Sequence, residues 1–153
     1  MHETIIGFDI GGSKIGVIEG DESARIWQQR TLPNDADVPF EPIFQSMCAV
    51  ADEVIAAARA AGRSPTAISV SIGGPLDIDA GIILSPPNLP RWDRIPLKSA
   101  LANRFGLPVY VEHDGNAGAL AEWMFGAGKG ARNALFLTMG TGLGAGLILN
   151  GRI

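Results

Sequence analysis

Two glycine-rich turns constrain this chain more than any other feature. "DIGGSKIGVI" at residues 9–18 and "GTGLGAGLIL" at 140–149 each set a glycine turn between short apolar runs. Glycine lets the backbone turn sharply and bring N–H groups together, while β-branched neighbours favour extended chain. Each end of the sequence is therefore expected to form a strand, a turn and a returning strand. Each turn either closes a hairpin and nothing more, or offers its amides to an anion. Neither matches the better-known phosphate templates. "GTGLGAG" lacks the GxGxxG spacing, no GxxxxGK[ST] is present, and both turns run on into strand-like rather than helical residues.

Between the turns the pattern changes from extended to alternating. Runs at 5–10, 15–19 and 24–31, with the turn signature "GDES" between the last two, predict a meander of three strands. Residues 41–61 place Ile43, Met47, Val50, Val54 and Ala58 at three- and four-residue steps and stop at Gly62, which predicts an amphipathic helix. A strand at 67–72 leads into "GGPLDIDAGIILSPPNLPRW", whose glycines and prolines predict a long surface connection of the kind that usually carries function. Leu97, Leu101 and Phe105 mark a short helix, and Pro108 opens a strand at 109–112. A further helix follows, with Ala117, Leu120, Ala121 and Met124 as its expected buried face and Gly126 as its stop, before a strand at 134–139. A meander followed by alternating helices and strands makes the chain α/β.

Composition excludes several partners. At 153 residues the chain is about one domain long and can bury a core. Its 12 basic and 16 acidic residues give a net charge of -4, and no Lys/Arg run is available to neutralise a polynucleotide backbone, so nucleic acid is not an expected partner. Cys48 is the only cysteine and sits inside the apolar helical pattern, which leaves no disulfide framework or Cys-based zinc site and assigns it to core packing. Glu3 and Asp9 interrupt the N-terminus, so a secretory signal is not expected and a cytoplasmic location is the default. Residues 133–151 carry no charge, but glycines, threonines and asparagines dilute them, and two apolar runs around a turn read as a hairpin rather than a membrane span.

Two carboxylates stand where chemistry is usually placed. Asp9 ends the first strand beside Gly11, either as a turn-former or as a ligand, direct or through water, for the Mg²⁺ that accompanies nucleotide phosphates. Asp114 lies in "VYVEHDGNAGALAE", where a strand stops and a helix begins. It is expected to cap the helix, to act as a catalytic carboxylate, or both. His113 beside it is either a structural hydrogen-bonding group or a contact for sugar or water.

Taken in order, "FDIGGSKIG", "GGPLDIDAGIILSPPNLPRW", "VEHDGNAGALAE" and "MGTGLGAGLILNG" resemble the motifs of ROK-family sugar kinases over nearly the whole chain. The resemblance implies a lobe of the two-lobed actin and hexokinase type (ribonuclease H-like), with a mixed sheet and flanking helices. It also implies ATP, Mg²⁺ and a hexose or N-acetylhexosamine substrate. On it, Gly11, Gly12, Ser13 and Lys14 form one phosphate loop and Gly140, Thr141 and Gly142 the other. Gly74, Asn88, His113 and Asp114 line the sugar side, with Asp114 as the base. Position 113 departs from the family, which commonly has Asn there, and this leaves the sugar preference open. Residues 1–128 would be the N-terminal lobe and 129–153 the opening hairpin of a second lobe that is truncated here, with the family's zinc site expected only in the missing part. The chain is accordingly expected to be a fragment, weakly active or inactive alone, and to self-associate as a homo-oligomer. The runner-up is a non-catalytic sugar-sensing regulator of the same family lacking its DNA-binding head. A third reading is an actin-like ATPase with no sugar dependence.

Overall fold

The alternation of Ile6, Phe8 and Ile10 with Ile5, Gly7 and Asp9 makes β1 (His2–Ile10) a strand with one buried face. Its partners follow the same rule. β2 (Lys14–Gly20) returns antiparallel with Ile15 and Val17 inward, and β3 (Ile26–Pro33) completes the meander. The computed structural model describes residues 2–139 and 143–153; Gly140, Thr141 and Gly142, the second glycine turn, lie outside the described residues.

After the meander, α1 (Phe40–Ala60) lays Met47, Cys48, Ala51, Val54, Ile55 and Ala58 against the sheet. Cys48 is buried as expected, and burial pushes its thiol up to about 11, so it stays a neutral packing group. β4 (Arg63–Ile72) pairs parallel to β1 with a register shift between Thr4 and Ile5, and starts earlier than the run at 67–72 predicts because Arg63 and Ser64 continue the ladder opposite His2 and Glu3. β8 (Val109–His113) lies beside β4, giving the order β3-β2-β1-β4-β8 in a mixed five-stranded sheet.

The connection at 73–96 is not purely a surface loop. It forms a small antiparallel sheet of β5 (Leu76–Asp77), β6 (Ile82–Leu84) and β7 (Asp93–Ile95), and it buries Ile83, Leu89 and Trp92 completely. Trp92 meets Phe40 edge to face at 5.0 Å between ring centroids. Each such fully buried aliphatic or aromatic group contributes about 1.5–3 kcal/mol, enough to hold an otherwise irregular segment against the core. α2 (Leu97–Phe105) adds Leu97 and Leu101.

One polar residue breaks the inward apolar row. Glu19 follows Ile15 and Val17 on the same face of β2 and is fully buried. Arg63 answers it with two hydrogen bonds, Nε to Oε1 at 2.7 Å and Nη2 to Oε2 at 2.9 Å, and Gln28 donates to Oε2 at 2.8 Å. Burial pushes this carboxyl up, but its hydrogen bonds, those from Arg63 foremost, and the charge of Arg63 together hold it below its ordinary value. The "GDES" turn is likewise built on a carboxylate. Asp21 accepts from Ser23 N and Oγ, Arg25 N and Trp27 Nε1, and the Ser23 bonds hold it far below the usual range.

The chain divides into two compact units, Met1–Val111 and Glu112–Ile153. In the second, α3 (Asp114–Phe125) packs on the hairpin of β9 (Ala134–Met139) and β10 (Leu143–Ile148). The buried residues of α3 are Gly115 and Ala119, whereas Leu120 and Met124 are exposed, contrary to the expected stripe. The reason is close approach: a Cβ on Gly146 would lie 2.0 Å from the Gly115 carbonyl oxygen, so the helix sits on the hairpin backbone through its small residues. Within the uncharged run 133–151, β9 and β10 thus pair antiparallel, and a turn follows at 150–151. Among the described residues no helix is long and apolar enough to cross a membrane.

Candidate functional site

In the first unit the glycine turn is fixed from two sides. Gly11 N–H donates to Lys14 O at 3.0 Å, closing the turn between β1 and β2. Asn34, directly after β3, donates its backbone N–H to Ser13 O at 2.9 Å and its side-chain Nδ2 to Gly11 O at 2.6 Å. Among the described residues the amides of Gly12 and Ser13 have no acceptor, and Ser13 and Lys14 are exposed. The other side of the turn rests on the long connection. A Cβ on Gly12 would come within 2.6 Å of the Asn88 carbonyl oxygen. Asn88 itself is exposed, held between buried Pro86 and Leu89 by the bond from Leu89 N to Pro86 O at 2.8 Å.

Gly12→Ala is therefore expected to force either the turn or the 86–89 segment aside, at about 1–3 kcal/mol of overpacking. Thermal unfolding measures it, and a variant that melts with the parent chain would show that the contact does not exist. Asp9 is exposed at the penultimate position of β1, beside Gly16 of β2 and Ser71 of β4. Gly74, two residues past β4, is half-buried. Among the described residues no group of three His, Cys, Asp or Glu comes together as a metal cluster.

In the second unit the strand-to-helix corner carries the other candidates. His113, not Asp114, is the N-cap of α3; Asp114 is the first helical residue. The Gly115 N–H is shared between Asp114 Oδ1 at 2.7 Å and His113 Nδ1 at 3.1 Å, which places the proton of the neutral imidazole on Nε2 and leaves that nitrogen as a donor. The Asp114 side chain is 46% exposed, and the one basic side chain within 4 Å of its carboxylate among the described residues is His113, Nδ1 to Oδ1 at 3.2 Å. An acid there also suits the positive end of the helix dipole. Glu112 braces the same corner, its Oε1 accepting from His113 N at 2.8 Å and Asn116 Nδ2 at 2.9 Å.

Sequence reasoning missed Asn34 and Glu112. "LPND" reads only as a turn, and Asn34 meets Gly11 across 23 positions; Glu112 is visible only as the polar end of a strand. Gly140, Thr141 and Gly142, the expected second phosphate loop, lie outside the described residues.

The model of the ROK family matches residues 5–153. The chain belongs to the ROK family. A glucokinase of Streptomyces coelicolor is 36% identical over 150 residues, a stretch covering 97% of this chain and 44% of that protein. A putative xylose repressor of Caldicellulosiruptor is 32% identical over 145 residues, covering 95% of this chain and 36% of the repressor. Among solved structures, a ROK glucokinase of Streptomyces griseus in complex with glucose and AMPPNP superposes with a TM-score of 0.82 at 36% identity, over 97% of this chain and 45% of that one. A ROK hexokinase of Thermus thermophilus gives 0.81 at 35% identity, over 97% of this chain and 48% of that one. The ROK chain described here therefore spans less than half the length of these relatives, and its fold is of the actin and hexokinase type.

Proposed function

We propose that this ROK chain takes part in ATP-dependent phosphorylation of a hexose or N-acetylhexosamine hydroxyl, with Asp114 as the base. The observation that carries the reading is the Asp114 carboxylate, half exposed at the strand-to-helix corner and anchored by one oxygen to Gly115 N–H, with the other oxygen accepting no hydrogen bond among the described residues. The residues present suit a nucleotide. The amides of Gly12 and Ser13, with Lys14 beside them, would hold phosphate oxygens. Asp9, exposed near the end of β1, would hold Mg²⁺, directly or through water.

When bound, Mg²⁺ neutralises charge on the transferring phosphoryl group. Asp114 accepts the proton of the attacking sugar hydroxyl, and His113 Nε2–H, Asn88 and Gly74 would orient that sugar. Gly140, Thr141 and Gly142 would supply the second set of phosphate contacts. The relatives support the kinase reading through glucokinases, one of them solved with glucose and AMPPNP.

A non-catalytic sugar sensor is the second reading, favoured by the similarity to a putative xylose repressor. A coupled assay of ATP consumption over a panel of hexoses, run beside calorimetric titration with the same sugars, separates the two. Sugar-dependent turnover supports the kinase. Sugar binding with neither turnover nor ATP binding supports the sensor, and ATP hydrolysis indifferent to sugar overturns both.

A further inference from the structure

We propose that Asn34 is the positioning residue of the first glycine turn, the group that withdraws the turn's carbonyls and so aims its amides at the nucleotide phosphates. The inference rests on the kinase reading for what the turn binds, while the geometry behind it belongs to the first unit alone.

A glycine turn has many backbone arrangements, and most of them mix carbonyl oxygens with amides on the same side. A polyphosphate tolerates only those in which the carbonyls are turned away. Two bonds from one residue select such an arrangement here. Gly11 O is drawn to Asn34 Nδ2 at 2.6 Å, and Ser13 O to Asn34 N at 2.9 Å. Across a planar trans peptide the C=O and the following N–H point in opposite directions. The Gly12 and Lys14 amides therefore point away from Asn34, and those of Gly12 and Ser13 find no acceptor among the described residues.

Asn34 can hold this arrangement because it is itself fixed. It is 8% exposed, and its Oδ1 accepts from Asp35 N at 3.0 Å. That bond commits the oxygen end of the amide, so the nitrogen end must face Gly11. The backbone of Asn88 closes the opposite side of the turn against Gly12, which leaves the turn little room to relax. An asparagine that merely ended β3 would need only one of these bonds.

The test is titration of the ¹⁵N-labelled 153-residue chain with Mg·AMPPNP and, separately, with glucose, following the Gly12 and Ser13 amide resonances. Asn34→Leu keeps the side-chain shape and removes the donor. Asn34→Asp keeps the Oδ1 bond to Asp35 N and sets an oxygen against Gly11 O, and serves if the leucine variant does not fold. A folded variant is expected to bind Mg·AMPPNP at least tenfold more weakly, with the amide shifts of Gly12 and Ser13 lost, while glucose affinity stays within twofold of the parent. Unchanged nucleotide affinity overturns the inference and leaves the kinase reading standing. Equal losses for nucleotide and glucose also overturn it, because they would mean a general loosening of the fold. Absence of Mg·AMPPNP binding by the parent chain overturns the kinase reading and this inference with it.

Discussion

Asp114→Asn is expected to lower sugar-dependent phosphoryl transfer by about 10²- to 10⁴-fold, the usual contribution of a positioned base, while the melting temperature stays near that of the parent. The two halves of this result separate chemistry from architecture. Asparagine keeps an oxygen to accept the Gly115 N–H, now made by Asp114 Oδ1 at 2.7 Å, so the first turn of α3 keeps its bond. What it cannot do is take a proton from a hydroxyl. Asp114→Ala removes both functions and should lose stability as well as rate. Because His113 supplies the N-cap itself, through Nδ1 to Gly115 N at 3.1 Å, even the alanine variant should retain the helix. The coupled hexose assay reads the first effect and thermal unfolding the second. Turnover by the asparagine variant within threefold of the parent would remove Asp114 from the base role.

The one-residue difference at this corner shows where a sequence is legible and where it is not. The boundary between strand and helix near position 113 follows from composition, because an apolar strand meets a small-residue helix there. Which of two adjacent polar residues caps the helix depends on backbone angles that no local pattern states. The meander and α1 were readable because each has one polar and one apolar face, so period 2 and period 3.6 stand out in Ile6, Phe8 and Ile10 and in Met47, Val54 and Ala58. α3 was misread for the opposite reason. Its contact face is made of Gly115, Gly118 and Ala119, which pack by proximity rather than by bulk, so the larger Leu120 and Met124 drew the expected stripe to the wrong side. The connection at 73–96 was legible as a long loop from its glycines and prolines, but its burial of Trp92 depends on Phe40 of α1, far away in sequence. Asn34 and Arg63 belong to the same class. Their partners stand 23 and 44 positions away, and only the sheet register brings them together.

Arg63→Met is expected to cost about 3–5 kcal/mol by stranding the Glu19 carboxylate, the penalty typical of breaking a buried pair by removing one member. For a chain of this size that lowers the melting temperature by roughly 10 °C. The effect is large because Glu19 is fully buried on the core face of β2 and, among the described residues, would keep only the hydrogen bond from Gln28. Methionine preserves the stem of Arg63, so lost packing contributes little. The stacking of Arg25 on Trp27, 3.7 Å from the ring centroid, remains, whereas that of Arg63 on the same ring, 4.7 Å from the centroid, is lost and adds about 0.5–1 kcal/mol that does not depend on Glu19. The pH dependence separates this cause from any other. In the parent chain the Glu19 carboxyl lies below its ordinary 4.5, so the pair's contribution is fully present above about that pH and is lost as pH falls through the lower folded value. In the variant burial acts without the guanidinium and pushes the carboxyl up, so the folded state takes up a proton more readily than the unfolded one and recovers stability on acidification. The two melting curves should therefore converge below about pH 4.5 instead of running parallel. Replacing Glu19 by Gln in the same variant removes the stranded charge and should restore part of the loss at neutral pH. A constant offset across pH 3–7, or no gain from the second substitution, would mean that the arginine stabilises the sheet by something other than its hold on Glu19.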